Sequence, residues 1–210
     1  LYLYRQEMEG NLFFLLLSHK MVYMDTGIKT NYNGPMRTTA YQDDLDLFRV
    51  YGRKAAVMAC SDGLSESRRP RVEALAAFLR EAGLEPVFSR CLYRRDGGPF
   101  SGTPQERAEE LNGFFGDPEV GMILDISGGD AANGILPYLD YGAAGRSRAV
   151  FWGYSDLTAV INALYAKTGR PSVLYQAAHL AEGDWQRRAF RSLISGKGGD
   201  LFRFSYEFIQ

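Results

Sequence analysis

From Lys54 onward, hydrophobic and polar residues alternate between two patterns. Short continuous apolar runs predict strands that are buried on both faces, and longer segments with apolar residues at helical spacing predict helices. The predicted strands cover 55–60, 86–89, 120–126, 149–155 and 172–176, and the predicted helices cover 70–82, 104–115, 131–139 and 157–168. Strands that alternate with helices of this length indicate an α/β fold, in which helices flank both faces of a parallel sheet.

The stretch VGMILDISGGDAANGILPYLD at 120–140 joins a predicted strand to a predicted helix through a Gly-Gly turn. Gly128 and Gly129 permit backbone conformations that a side chain would forbid. The free N–H groups at the start of the following helix point toward any anion or oxyanion above the turn. In serine hydrolases this geometry carries the nucleophile, but no Ser, Cys or Thr follows the turn, where the residues are Asp130, Ala131, Ala132 and Asn133.

Three loops are predicted to meet at one edge of the sheet, because the carboxyl ends of parallel strands lie together. They carry polar residues and glycines, namely Ser61, Asp62 and Gly63, then 128–133, then Tyr154, Ser155 and Asp156. We interpret Ser61, Tyr154, Ser155 and Asp156 as walls of a ligand pocket. Strand-to-helix turns also need such residues for purely structural reasons, so Ser155 or Asp156 can instead be the N-cap of the helix at 157–168.

The segment GGDAANGILPYLDY at 128–141 resembles the Gly-Gly-x-x-Ser-x-x-x-Leu-Leu-Pro-x-Leu-Asp signature of the LD-carboxypeptidase and microcin C immunity family of serine peptidases. The similarity runs from about Lys54 to about Gln176. It includes the segments GTPQERAEELNGFFGDPEV at 102–120 and FWGYSDLTAVINALYAKTG at 151–169. Several motifs in the same order make the resemblance specific.

The resemblance implies a flavodoxin-like or Rossmann-like N-terminal domain that bears the nucleophile, and a C-terminal domain that supplies a Glu and a His. The implied chemistry is hydrolysis of the L,D-amide bond of a muropeptide, or of an amide in a peptidyl-nucleotide. By position, the N–H of Asn133 and that of Gly128 or Gly129 are the expected oxyanion donors. No cofactor is implied.

This chain departs from the family pattern in two ways. Ala132 occupies the position of the nucleophilic Ser, and the chain ends at Gln210, about where the second domain begins in the family. We therefore expect an unassigned segment at 1–45, the α/β domain at 46–178, and at 179–210 a linker and the start of a missing domain. A non-catalytic relative that binds a peptide or cell-wall fragment in the same pocket is the alternative function.

Other side chains are weak substitutes for the missing nucleophile and its base. Ser127 precedes the Gly-Gly turn and Ser155 lies on a neighbouring loop, but neither occupies the nucleophile position, and the histidines are His19 and His179. His179 is more readily interpreted as a surface or capping residue. The carboxylate of Asp130 fits two interpretations, an N-cap, which we prefer, or a ligand for a substrate amine.

Composition excludes several other classes. The chain has 210 residues, 46% of them hydrophobic, and a net charge of -1, so no basic field indicates nucleic acid. Two cysteines form no disulfide framework or metal motif, which favours a cytoplasmic setting, and no nucleotide-binding glycine motif follows a strand. The apolar run at 12–17 is too short to span a membrane. The expected ligand is a muropeptide or peptide-like molecule, and the aromatic residues Phe202, Phe204 and Phe208 are a predicted homodimer contact.

Overall fold

The computed structural model of the chain describes residues 52–95 and 97–195, together with the backbone of two short strands near the N-terminus. The strands are β1 (Phe14–Leu17), β2 (Lys20–Met21), β3 (Lys54–Met58), β4 (Glu85–Phe88), β5 (Val120–Asp125), β6 (Val150–Gly153) and β7 (Ser172–Leu174). The α-helices are α1 (Arg69–Glu81), α2 (Pro104–Gly116), α3 (Tyr141–Arg146), α4 (Thr158–Thr168) and α5 (Asp184–Ile194). Short 3₁₀ helices lie at Glu66–Arg68, Ala132–Tyr138, Ser155–Leu157 and Ala177–Ala181.

The strands form one sheet in the order β2-β1-β7-β6-β5-β3-β4. Strands β3 to β7 are parallel, whereas β1 pairs antiparallel with β7 and with β2. The five parallel strands and their flanking helices confirm the predicted fold class. Because the chain runs outward from β3 to β4 and then returns to the other side of β3, the strand order reverses between β3 and β5. Ligands of open α/β sheets bind at such a reversal, beyond the carboxyl ends of the strands.

Strand β5 divides the hydrophobic core into two parts, one on each face of the sheet. All of its residues are buried; Met122 and Leu124 face the core that α1 and α5 cover, and Val120 and Ile123 face the core that α2 and α4 cover. From Met122 to Leu124 this division follows the alternation of side chains along a strand, whereas Val120 departs from it beside the register shift between β3 and β5. A continuous apolar run such as VGMIL therefore belongs in the centre of a covered sheet.

Helix α2 begins where the sequence predicts it. The Thr103 hydroxyl accepts a hydrogen bond from the Glu106 N–H at 3.2 Å, and the Glu106 carboxylate accepts one from the Thr103 N–H at 2.7 Å. Pro104 occupies the first helical position, where its missing N–H costs no hydrogen bond. This capping box satisfies two backbone donors that would otherwise lack partners.

The segment after the Gly-Gly turn differs from the prediction of an α-helix at 131–139. It forms a 3₁₀ helix at Ala132–Tyr138, and the short helix α3 follows after Asp140. Pro137 lies inside the 3₁₀ helix and has no N–H to donate to an i−4 carbonyl. The apolar spacing was interpreted correctly as helical, but the proline prevents a continuous α-helix.

The C-terminal described segment also differs from the expected linker at 179–210. Helix α5 packs on the domain, with Ala189, Phe190 and Leu193 buried. The Phe190 ring lies 5.5 Å from that of Phe78 and 6.0 Å from that of Trp152, measured between centroids. Residues 184–194 are therefore part of the domain core. The predicted aromatic contact at 202–208 lies outside the described residues.

Strand β1 lies within the segment 1–45, which the sequence left unassigned. Its backbone pairs with β7 through Phe14, Leu15 and Leu16 and so extends the sheet at that edge. Among the described helices, none combines the length and the apolar character that crossing a membrane requires.

Candidate active site

The loops that follow β3, β5 and β6 are joined by hydrogen bonds at the carboxyl edge of the sheet. The Ser61 hydroxyl donates to Asp156 Oδ2 at 2.6 Å, and the Ala132 N–H donates to the same oxygen at 2.7 Å. The Ala131 N–H donates to Ser61 Oγ at 3.2 Å. The structure thus brings together Ser61, Asp156 and the backbone of Ala131 and Ala132, from the three loops that the sequence placed at this edge.

A buried carboxylate beneath this junction fixes the strand ends. Asp125 Oδ2 accepts from the Cys60 N–H at 2.7 Å, and Oδ1 accepts from the N–H and the hydroxyl of Ser127 at 2.8 and 2.6 Å. The Ser127 Oγ in turn accepts from the Ser61 N–H at 3.1 Å. Burial raises the pKa of Asp125, although the hydrogen bonds from Ser127 and Cys60 oppose the rise.

The thiol of Cys60 lies beside this carboxylate and is fully buried. Burial raises its pKa well above the ordinary value, and the negative charge of Asp125 adds to the rise. A thiol in such surroundings stays protonated near neutral pH, whereas the thiolate is the nucleophilic form. Cys60 is therefore a structural residue.

Arg107 holds the loops from below with a buried guanidinium. From helix α2, its Nη1 donates to Cys60 O, to Ser61 O at 2.8 Å and, at the longer distance of 3.5 Å, to Ala131 O. Its Nε donates to Thr103 O at 3.4 Å. The sequence analysis missed this residue.

A signal for Arg107 is present in the sequence. The buried face of α2 consists of Arg107, Ala108, Leu111 and Phe115. A charged residue within an apolar helical stripe is unusual unless its donors are satisfied, so it marks a buried polar contact.

The two glycines of the turn have different roles. Gly129 has φ 139°, a backbone conformation that residues with a side chain rarely adopt, and the carboxyl group of Asp62 lies where a Cβ would stand. Gly128 has open space around the position of a Cβ, and its carbonyl accepts from the Asp62 N–H at 3.3 Å. Asp62 therefore packs against the turn. The contact between Asp62 and the backbone of residue 129, together with the positive φ, accounts for the glycine at this position.

The start of the 3₁₀ helix corrects the preferred interpretation of Asp130 as an N-cap. The N-cap residue is Ala131, without a side-chain capping bond. The N–H groups of Ala131 and Ala132 are satisfied instead by Ser61 and Asp156 from neighbouring loops. Asp130 and Asn133 are exposed, and Ala132 is fully buried at the first helical position.

The loop after β6 likewise excludes the simple capping interpretation of its polar residues. The N-cap of α4 is Leu157, without a side-chain capping bond, and Asp156 reaches across to Ala132 and Ser61. Ser155 has φ 57°. This left-handed conformation is energetically unfavourable for any residue other than glycine. The Tyr154 side chain is 39% exposed at the rim.

The alternative nucleophiles are poorly placed. Ser127 is buried and its hydroxyl proton is directed to Asp125. Ser155 is exposed, but it carries the left-handed backbone described above. His179 Nδ1 contacts Arg71 Nη2 at 2.7 Å and also the Glu182 carboxylate, an ion-pair cluster beside helix α1.

Histidine at position 19 lies outside the described residues. Within the described ranges, no three His, Cys, Asp or Glu side chains are grouped as a metal site would require. The identity of the oxyanion donors, Asn133 with Gly128 or Gly129, stays a prediction.

Comparison with known proteins supports the resemblance. The family model of the LD-carboxypeptidase N-terminal domain matches residues 55–175. The microcin C7 self-immunity protein MccF of Escherichia coli is 45% identical over 92 residues, which are 44% of this chain and 26% of that protein. A Vibrio cholerae protein named as a carboxypeptidase is 39% identical over 99 residues, 47% of this chain and 29% of that protein.

Solved structures show the same similarity. MccF in complex with glutamyl sulfamoyl guanosine superposes with a TM-score of 0.60 at 27% identity, over 69% of this chain and 44% of that one. An MccF-like protein from Bacillus anthracis gives a TM-score of 0.58 at 29% identity, over 68% of this chain and 44% of that one. The chain thus spans less than half the length of each of these relatives.

Proposed function

The chain belongs to the LD-carboxypeptidase family through its N-terminal domain, and from this premise we propose that it binds a peptide-like ligand at the Gly-Gly turn without cleaving it. The observation that carries the proposal is Ala132. This residue stands at the first position of the 3₁₀ helix, where the family signature has Ser, and a methyl group cannot attack a carbonyl.

Within the described part of the chain, Ser61 and Ser127 do not replace the missing nucleophile. The Ser61 hydroxyl is fully buried and donates to Asp156, and the Ser127 hydroxyl donates to Asp125. A serine nucleophile needs a base within hydrogen-bond reach and a hydroxyl oxygen that a substrate can approach. Asp156 and Asp125 accept the protons of Ser61 and Ser127, but both serines are buried. The covalent route of the family is therefore absent at this site.

Features that serve binding are retained. Gly128 has open space beside it, and Asn133, Asp130 and Tyr154 are exposed. Because Asp130 does not cap the helix, its carboxylate is available to the ammonium group of a ligand. MccF structures contain aminoacyl sulfamoyl nucleosides, and a Bacillus subtilis relative is named as a murein peptide carboxypeptidase. We therefore propose a muropeptide or an aminoacyl nucleotide analogue as the ligand.

Calorimetric titration tests this proposal. We expect a muropeptide tetrapeptide or aspartyl sulfamoyl adenosine to bind the wild type, with no release of the terminal D-amino acid. Gly128→Leu should abolish binding, because a side chain there extends into open space beside the turn. Gly113→Leu is the matched control, since this glycine is exposed on α2 and also has open space around it. Absence of binding to the wild type, or equal binding by both variants, would refute the proposal.

A second candidate function is hydrolysis once a hydroxyl is restored. The observation that favours it is the fixed backbone of residue 132. Its N–H donates to Asp156, so a serine side chain introduced there would start from a defined position at the first residue of the 3₁₀ helix. Ala132→Ser in a chain extended through any downstream coding sequence should then react with a serine-directed fluorophosphonate, provided that a Glu and a His are supplied. A folded, extended Ala132→Ser protein that takes up no label would argue against this candidate.

The setting of the protein is part of the same proposal. We propose that the protein binds cell-wall fragments in peptidoglycan recycling in the cytoplasm, with microcin immunity as the alternative that the similarity to MccF suggests. The predicted homodimer is tested by sedimentation of the chain with and without residues 198–210. Identical sedimentation of both forms as monomers would exclude the aromatic contact.

A further inference from the structure

One oxygen of Asp156 receives two hydrogen bonds from two different loops. The Ser61 hydroxyl donates to Oδ2 at 2.6 Å and the Ala132 N–H donates to it at 2.7 Å. Short hydrogen bonds to an ionised acceptor are the stronger kind. The carboxylate also lies at the start of a helical turn, where a negative charge is favourable.

Ser61 connects this carboxylate to the rest of the site. Its side chain is fully buried, and each of its polar groups has a partner. Its N–H donates to Ser127, its carbonyl accepts from Arg107, and its hydroxyl both donates to Asp156 and accepts from the Ala131 N–H. A movement of Asp156 would therefore be transmitted to the backbone at Ala132 directly and at Ala131 through Ser61.

The loop that supplies Asp156 is held in a costly conformation. Ser155, directly before it, has φ 57°, and its carbonyl accepts from the Thr158 hydroxyl at 2.5 Å. A residue other than glycine keeps such a conformation only where surrounding contacts impose it. Here the contacts from Asp156 to the neighbouring loops do so.

We propose that Asp156 and Ser61 form a positioning pair that sets the orientation of the backbone at residue 132 in the ligand-binding turn. The Ala132 N–H is used by Asp156, so we assign a ligand oxygen to the N–H of the next residue, Asn133. The pair touches no ligand and acts through the backbone. The effect on ligand affinity rests on the proposed function, whereas the effect on the backbone does not.

Hydrogen exchange at single amides tests the backbone effect. In Asp156→Asn, which keeps the shape of the side chain but not its charge, the Ala132 amide should exchange about tenfold faster, because a charge-assisted acceptor is replaced by a neutral one. The exchange rate of the Leu124 amide, which lies in the central strand and reports on global unfolding, should stay unchanged. Ser61→Ala should speed exchange at Ala131, whose N–H loses its acceptor.

Asp140→Asn is the matched control. Its carboxylate accepts from the Ala143 N–H at 2.8 Å at the start of α3, so the variant should affect Ala143 and leave Ala132 unchanged. Exchange at Ala132 within twofold of the wild type in Asp156→Asn would overturn the proposal. An equal acceleration at Ala132 and Leu124 would also overturn it, because it would show a general loss of stability. If Asp156→Asn does not fold, Ser61→Ala decides by the same criteria.

Titration with aspartyl sulfamoyl adenosine tests the effect on binding. We expect about tenfold weaker affinity for Asp156→Asn and wild-type affinity for Asp140→Asn. If the wild type binds no ligand, the proposed function fails while the exchange rates still decide the positioning role. Wild-type affinity in Asp156→Asn would contradict the claim that the pair serves binding.

Discussion

Arg107→Met should lower the free energy of unfolding of the domain more than the same replacement of an exposed arginine. The variant keeps an apolar chain in the hydrophobic stripe of α2 but removes the donors that bind the backbone of the site. Cys60 O and Ser61 O then lose their bonds to Nη1 in a fully buried region. Arg107→Met therefore removes hydrogen bonds from the loop that follows β3.

The expected magnitude follows from these carbonyl groups. Each buried acceptor left without a donor costs about 1–3 kcal/mol, so two give about 2–6 kcal/mol. The bonds to Thr103 O and Ala131 O are 3.4 and 3.5 Å long and add little. Removing a buried charge offsets part of the loss, and we expect a net decrease of about 3 kcal/mol in the free energy of unfolding.

Urea denaturation measures this decrease, with the slope of the transition unchanged. Arg90→Met is the control: the Arg90 side chain is 80% exposed, and its partner Glu110, 12% exposed, keeps the hydrogen bonds from the Ser89 hydroxyl and the Arg90 N–H, so the variant should cost less than about 1 kcal/mol. Arg107→Lys should recover only part of the stability, because an ammonium lacks the planar fork. A cost for Arg107→Met within about 0.5 kcal/mol of that of Arg90→Met would refute the structural role of Arg107.

Further predictions concern the turn, a helix cap and the buried carboxylate. Gly129→Ala should lower the free energy of unfolding by about 1–3 kcal/mol through overlap with Asp62 and a positive φ, and an unchanged melting temperature would contradict this. Thr103→Ala should cost about 1 kcal/mol in urea denaturation, which an unshifted midpoint would disprove. Burial raises the pKa of Asp125 in the folded protein, so the stability of the wild type relative to Asp125→Asn should fall as pH rises above the ordinary pKa of 3.8. A difference between the two proteins that stays constant with pH would exclude this titration.

Local sequence signals predicted those parts of the fold that local interactions determine. Thr103 and Pro104 predicted the start of α2, because capping is decided within a few residues. The apolar run in β5 predicted a strand at the centre of the sheet, because only a covered sheet can bury both faces. The α-helix expected at 131–139 was wrong because Pro137 favours a 3₁₀ helix, a competing local effect that periodicity does not weigh.

Long-range contacts explain what the sequence could not show. Polar residues at strand ends were predicted to meet, since that follows from a parallel sheet. Asp156, by contrast, was interpreted as a pocket wall or as the N-cap of its own helix, and in the structure its partners are the backbone of Ala132 and the hydroxyl of Ser61. Arg107 and Asp125 likewise act on residues tens of positions away, and their partners depend on the packed fold.

Native mass spectrometry after prolonged incubation with a muropeptide tetrapeptide tests the central claim most directly. The account predicts a complex whose mass equals the chain plus the intact tetrapeptide, because Ala132 can bind beside the ligand but cannot attack it. A ligand recovered without its terminal residue, or a covalent acyl adduct on the chain, would contradict the account. Free chain alone, at a ligand concentration that saturates a relative with Ser at this position, would equally contradict it.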